Sequence, residues 1–448
     1  MKFLMLFAVC ASVNAWANLH LAPPDFYTQL GKAVFVDFTK AQYDVTYDIP
    51  SETTKVKTTI WFTATKAGKP VFDLVPDVDG LTLNGARAGS RQIKFPDGAS
   101  ELRIVDREVA PGDHVLQITS SFDANVSYDY TNRTVSSAFW IRDLRDRMFL
   151  EQYVPSNFEF DQYQMVLNVT FVGNRRAQEI FTNGEVSKKS ANSWSITFPK
   201  HFTVSCPYFH TAPKGKFVRA DFSYPSISGR QIPITIYSPS AGQTEEFRQE
   251  TRRVLEELES DYGAWGHPSF LAYGTPNGSG GMEHAGATAT SFSALDHEML
   301  HSYFAKGVMP ANGNSGWIDE AIASWRDKGY TRLPAPGFGG SNLGSQSAYK
   351  RSTDDRAYRL GNAFMSYVDY RLQNVGGLKA FLKGYHQAYR KTVITTEHFK
   401  NNLEFFSGLE FDGDFQTYIW GKNSKDAPEA GENPAHPELT EEELRGLL

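Results

Sequence analysis

Near residue 221 the spacing of the apolar side chains changes, and no other feature of the chain restricts its fold as much. Before that point they recur at every second position. Val56, Thr58, Ile60 and Phe62 alternate in TKVKTTIWFTAT, as a strand with one buried face requires. VFDLVPDVDGLTLNG and VAPGDHVLQIT set short apolar runs beside Asp-Gly, Asn-Gly and Pro-Gly turn signals, and YQMVLNVTFVG and SWSITFP continue the pattern. After the strand-like IPITIYSP, residues 244–262 place Phe247, Val254, Leu255, Leu258 and Tyr262 on one helical face. Thr244 stands where an N-cap would be and Gly263 ends the run. Further helical segments are predicted at about 291–306, 316–328, 354–374, 377–390 and 396–406. Strands first and helices afterwards predict a multi-domain α+β chain rather than a doubly wound sheet. The expectation is a β-sandwich or saddle-like domain over 18–220, then a mostly helical domain over 221–424.

The 448 residues give room for two or three domains of about 100–200 residues. The chain's 32 Phe, 21 Tyr and 8 Trp need an interior, which excludes disorder throughout. A net charge of −6 without a long basic run does not indicate a nucleic-acid surface, and no nucleic-acid partner is expected. In MKFLMLFAVCASVNAWA, residues 1–17, Lys2 precedes an apolar run and Ala15-Trp16-Ala17 supplies a cleavage site. The run is too short to span a bilayer and reads as an export leader, to the periplasm or outside the cell. No second stretch reaches membrane length, so no membrane contact is expected once the leader is removed. Cys10 would leave with it, making Cys206 a lone cysteine that reads as a small buried hydrophobe. Residues 425–448, with seven acidic and two basic side chains, read as a flexible tail carrying a capping pair at Thr440 and Glu443.

The chemistry is concentrated in DHEMLHSYF at 296–304. His297 and His301 stand four apart, so on a helix they share one face and can share one metal ion. Ser291 or Ser293 is placed to cap that helix and Gly307 to close it. Glu298 lies between the histidines, positioned to accept a proton from water at the metal without being a ligand. Tetrahedral zinc needs a third protein ligand. Glu320, nineteen residues beyond His301 at the start of another helical pattern, completes a His₂Glu set for one zinc ion.

With those residues the chain resembles the gluzincin metallopeptidases, and more closely the aminopeptidase N and leukotriene hydrolase family. Their motif is HExxH followed after eighteen residues by Glu, met here by His297, His301 and Glu320. GGMEH at 280–284 is similar to that family's GAMEN exopeptidase motif, in the form usual among glycyl aminopeptidases, with His284 in place of Asn. The resemblance implies a thermolysin-like catalytic domain in which Glu283 holds a substrate's amino terminus while the backbone of Gly280, Gly281 and Met282 pairs with its chain. It implies an oxyanion-binding role for Tyr358, which with Gly361 reproduces the family's Tyr-x-x-Gly segment. The stretch at 149–165 resembles the one that lends a Gln or Glu to the substrate amine, which indicates Gln152. The chain departs from the family at Ala321, where a glycine commonly follows the zinc glutamate. It also departs in the short interval from Glu283 to His297, and no large C-terminal helical domain follows.

The reading that follows is an exported zinc aminopeptidase acting on a peptide or protein substrate. A zinc endopeptidase with an open cleft, and a binding protein that keeps the fold without activity, are the alternatives. The Gly-rich segment 329–356 lies between candidate site residues and is a candidate cleft lid.

Overall fold

The structure, a computed structural model, describes residues 21–421 apart from 95–100, 143, 145–147, 277–279, 347–348 and 350–351. The predicted leader at 1–17 and the tail at 425–448, with Thr440 and Glu443, lie outside the described residues.

The first half forms three sheets. The largest has eight strands, centred on Asp37–Asp48, Thr53–Ala64 and Gly112–Ser121 in antiparallel register. Gln164–Val172 joins its other side parallel to Asp37–Asp48. The alternation in the sequence becomes alternation of burial: Thr54, Val56, Thr58, Ile60 and Phe62 face inward from one strand. They meet Tyr43, Val45 and Tyr47 of the next strand in a core that includes the buried, unbridged Cys206.

A second core begins at Tyr224 and runs to Ile419. It packs a five-stranded sheet against helices, among them α1 (Ala241–Tyr262), α2 (Leu295–His301), α3 (Trp317–Asp327), α4 (Asn362–Arg371), α5 (Gly377–Tyr389) and α6 (Thr396–Ser407). In α1 the predicted face of Phe247, Val254, Leu255, Leu258 and Tyr262 is buried. Its cap is Ser240, whose hydroxyl accepts from the Gln243 N–H at 3.3 Å, and not Thr244. Thr244 lies in the first turn, bonded to Ser238 Oγ at 2.8 Å. The Gly263 end is as expected, with φ at 95°.

The segment predicted as one helix over 291–306 is shorter. A 3₁₀ turn at Phe292–Ala294 leads into α2, which ends at His301. Ser291 and Ser293 cap nothing; their hydroxyls lie 3.2 Å from each other. Gly307 closes the turn after the helix rather than the helix itself, where a Cβ would sit 2.5 Å from two carbonyl oxygens. Among the described residues no helix is long and apolar enough to cross a membrane.

The segment 329–356 is anchored at several points. Gly344 N donates to Ile419 O at 2.9 Å, Tyr349 OH to Pro24 O at 3.0 Å, and Thr353 bridges to Leu144.

Candidate active site

Leu295, Met299 and Leu300 bury one face of α2 in the second core, which turns His297, Glu298 and His301 the other way. Glu320 sits in the first turn of α3, where the helix dipole favours a carboxylate. Three ligand atoms converge. His297 Nε2 and His301 Nε2 are 3.1 Å apart, and Glu320 Oε2 lies 3.3 Å from the first and 3.6 Å from the second. Zinc bonds of about 2.0–2.2 Å at tetrahedral angles set ligand atoms about 3.3 Å apart.

The proton positions agree with a metal. His297 Nδ1 faces Asp327 Oδ2 at 2.6 Å and His301 Nδ1 faces the Phe304 carbonyl at 3.2 Å. Both partners only accept, so each Nδ1 carries a hydrogen and each Nε2, turned toward the other, is the atom left for a metal. Glu320 Oε2 is buried with no hydrogen-bond partner. Two ring nitrogens and an orphaned carboxylate oxygen around one point fit a cation that displaces the ring protons. Burial disfavours a charged ring at His297, but Asp327 and Glu320 outweigh it, so without a metal the ring holds a proton up to about 10. Burial would raise Glu320; the two imidazoles hold it well below the usual carboxylate range.

Glu298 is buried beside this triad, and an oxygen of it groups with Glu283 and His301 within 4.8 Å. With no metal present, burial first, with the Glu283 and Glu320 carboxylates adding to it against the pull of the imidazoles, pushes its carboxyl up to about 8. A cation held by the triad would bring it back toward the ionised form that a base needs. Tyr358 belongs to a π-helical turn at Ala357–Gly361 and donates its hydroxyl to Glu320 Oε1 at 2.7 Å. Its ring lies nearly parallel to His297, 6.0 Å away.

Glu283, Gly281 and Met282 are on Gly281–His284, the edge strand of the five-stranded sheet, antiparallel to Ala287–Thr290. At Gly281 a Cβ would meet Glu298 Cγ at 2.6 Å and Thr290 Oγ1 at 2.4 Å, so only glycine lets the strand lie this close to Glu298. Gly280 has nothing within 4 Å of such a Cβ. His284 is wholly buried and donates from Nδ1 to Pro207 O at 2.8 Å. Burial, with Lys306 nearby, holds it neutral down to about 3, which makes it a packing residue.

One cavity of about 180 Å³ is lined by His297, Glu298, His301, Glu320, Tyr358, Gly281, Met282 and Glu283 together with Arg142 and Leu144. Gly280 borders it in the chain without lining it. Gln152 is elsewhere: it lines a separate cavity of about 500 Å³ with Glu52, Asp77, Phe122 and Tyr128. The 3₁₀ turn at Leu150–Gln152 turns it that way, while neighbouring Glu151 is buried and accepts from Phe149 N at 2.9 Å. Sequence reasoning missed Asp327, Lys306, Arg142 and Leu144. Asp327 had a signal, standing seven residues beyond Glu320 and so two turns along the same face of α3. The other three had none.

This arrangement of sheet, helices and convergent ligands defines a zinc-metallopeptidase type of fold, and comparison with solved structures gives it a narrower form. The chain is similar to an M1 zinc metallopeptidase from Deinococcus radiodurans, with a TM-score of 0.61 at 17% identity, covering 89% of this chain and 97% of that one. A mutant of that protein has been solved bound to a Tyr-Ser-Ala substrate. Yeast LTA4 hydrolase matches with a TM-score of 0.58 at 13% identity, over 88% of this chain and 69% of its own. Legionella pneumophila aminopeptidase A matches at 0.61 and 11%, over 86% of this chain and 50% of its own. No protein-family model and no curated protein matches the sequence. The fold is therefore that of the M1 zinc metallopeptidases.

Proposed function

We propose that this chain is a zinc aminopeptidase, with His297, His301 and Glu320 holding one zinc ion. The observation that carries the reading is the convergence of two Nε2 atoms and the orphaned Glu320 oxygen at 3.1–3.6 Å beside a buried Glu298. A zinc ion in such a set supplies Lewis-acid polarisation of a carbonyl and acidifies water.

The chain's own groups would do the rest. Glu298 takes the proton of the attacking water and passes it to the leaving amine. Tyr358 has one hydroxyl proton and spends it on Glu320 in this structure, so it must release Glu320 to donate to the oxyanion. Glu283 accepts from the substrate's amino terminus, and Gly280–Met282 offer backbone to its chain. The two largest hydrophobic cores, one drawn almost wholly from before residue 220 and the other wholly from after it, support a division into a β domain over 18–220 and a catalytic domain over 221–424. The leader-like residues 1–17 support export to the periplasm or beyond the cell.

The test is mass spectrometry of peptides incubated with purified protein, with and without a zinc chelator. Release of residues one at a time from the amino end, abolished by chelator, is the expected result. Cleavage at internal bonds alone would replace this reading with an endopeptidase, and no cleavage by zinc-loaded protein would leave a binding protein.

A further inference from the structure

Glu283 enters the cavity already partnered. Its Oε1 lies 3.3 Å from Lys306 Nζ, and the two side chains are 6% and 5% exposed. Lys306 comes from the turn after α2, where its backbone N–H donates to the His301 carbonyl at 2.9 Å. Its ammonium also donates to Ser205 Oγ at 2.9 Å, so the β region helps to hold it. Ala305, immediately before it, is held at φ 147°, a conformation that costs an alanine and persists only where the surroundings enforce it. An ammonium this deep needs negative neighbours to offset its lost hydration, and Glu283 is the one facing the cavity.

The pairing changes what Glu283 can do. A carboxylate attracts a substrate ammonium in proportion to the charge that is not already balanced, and in a water-poor site a cation at 3.3 Å balances much of it. Glu283 can still accept hydrogen bonds; what it loses is most of its demand for a positive charge. We propose that Lys306 is a specificity-determining residue. It acts as a built-in counter-cation that competes with the substrate ammonium for Glu283, so that peptides with blocked and with free amino termini are processed at similar rates. The proposal rests on the peptidase reading of the same site and widens its substrate class beyond free amino termini.

The test uses the zinc-loaded, full-length protein and one peptide in free and N-acetylated forms, comparing kcat/KM. Wild type should favour the free form by less than about tenfold. Lys306→Met should raise that ratio by about tenfold or more, through a lower KM for the free peptide, with the acetylated peptide and zinc content unchanged. An unchanged or lower ratio in zinc-loaded Lys306→Met overturns the proposal and leaves a structural ion pair, as does a wild-type preference of a hundredfold or so. Should Lys306→Met fail to fold, Glu283→Gln asks the same question. It removes the carboxylate that answers a substrate ammonium and keeps the lysine cation beside it, so the acetylated peptide should become the better substrate, and a persisting preference for the free one overturns the idea. Wild-type protein that cleaves neither peptide removes the peptidase reading, and this one with it. Cleavage of both with no effect of either variant removes the role of Lys306 alone.

Discussion

Asp327 decides which nitrogen of His297 faces the cavity. At 2.6 Å its carboxylate accepts from Nδ1 and so leaves Nε2 as the nitrogen offered to a metal, while Arg326, bonded at 3.3 Å to the other Asp327 oxygen, holds the carboxylate in place. Asp327→Asn can turn its amide N–H toward the ring and favour the wrong tautomer. Zinc affinity should fall about 10–100-fold while the fold is kept, which competition against a chromogenic chelator would measure. Unchanged affinity would mean that Asp327 is a bystander. The glycines of the edge strand offer a second single-residue test with an internal control. A methyl at Gly281 would collide with Glu298 Cγ at 2.6 Å, whereas one at Gly280 meets nothing within 4 Å. Gly281→Ala should therefore lower kcat at least about tenfold, because even small misplacement of a catalytic group is costly, and Gly280→Ala should change it little. Equal effects of the two variants on kcat would refute the steric argument.

At the scale of elements, the turn that carries Tyr358 and the helix that carries Glu320 pack closely against each other. A Cβ on Gly361 would lie 2.6 Å from the Cβ of Ala321, so the bare glycine on one side accommodates the methyl on the other. That explains how the chain tolerates Ala321 where its relatives in motif commonly have glycine. Gly361→Ala should destabilise the protein by about 1–3 kcal/mol in urea unfolding, and adding Ala321→Gly should recover most of the loss. Additive losses would show that the two do not meet. The same elements show what could be read from the residues alone. Two histidines four apart and a glutamate at the start of the next helical pattern are local signals, so the triad and its helices were legible. The tight ends of α2 were not, because a serine before a helix reads as a cap whether or not its hydroxyl reaches an N–H. Gln152 failed for a different reason: its neighbourhood depends on which way a 3₁₀ turn faces, and strand-like spacing says nothing of that. Arg142 and Leu144 reach the cavity, and Lys306 reaches Glu283 beside it, through contacts between distant segments, which no spacing rule encodes.

At the scale of the whole molecule, several histidines outside the candidate metal triad are buried as neutral rings in both halves. Burial is the leading cause at each, holding His210, His284 and His386 down to about 3 and His267 to about 4. The sign of their effect is fixed by linkage. A histidine whose folded value lies below its unfolded value of about 6.5 contributes stability that is fully present above that pH and lost as the pH falls towards the folded value. Other groups titrate in the same range, among them Asp37, which burial raises to about 6 and which acts in the opposite direction. A difference between two proteins isolates one ring. His386, which is 2% exposed and packs against Tyr303 at 4.7 Å, is far enough from neutral behaviour in water to give a clear signal. His386→Phe removes its proton uptake on unfolding and leaves the rest of the titration in place. Between pH 7 and pH 5, wild type should lose about 2 kcal/mol more stability than the variant in urea unfolding, whatever their offset at neutral pH. Parallel losses would mean that His386 is already charged, or reached by water, in the folded protein.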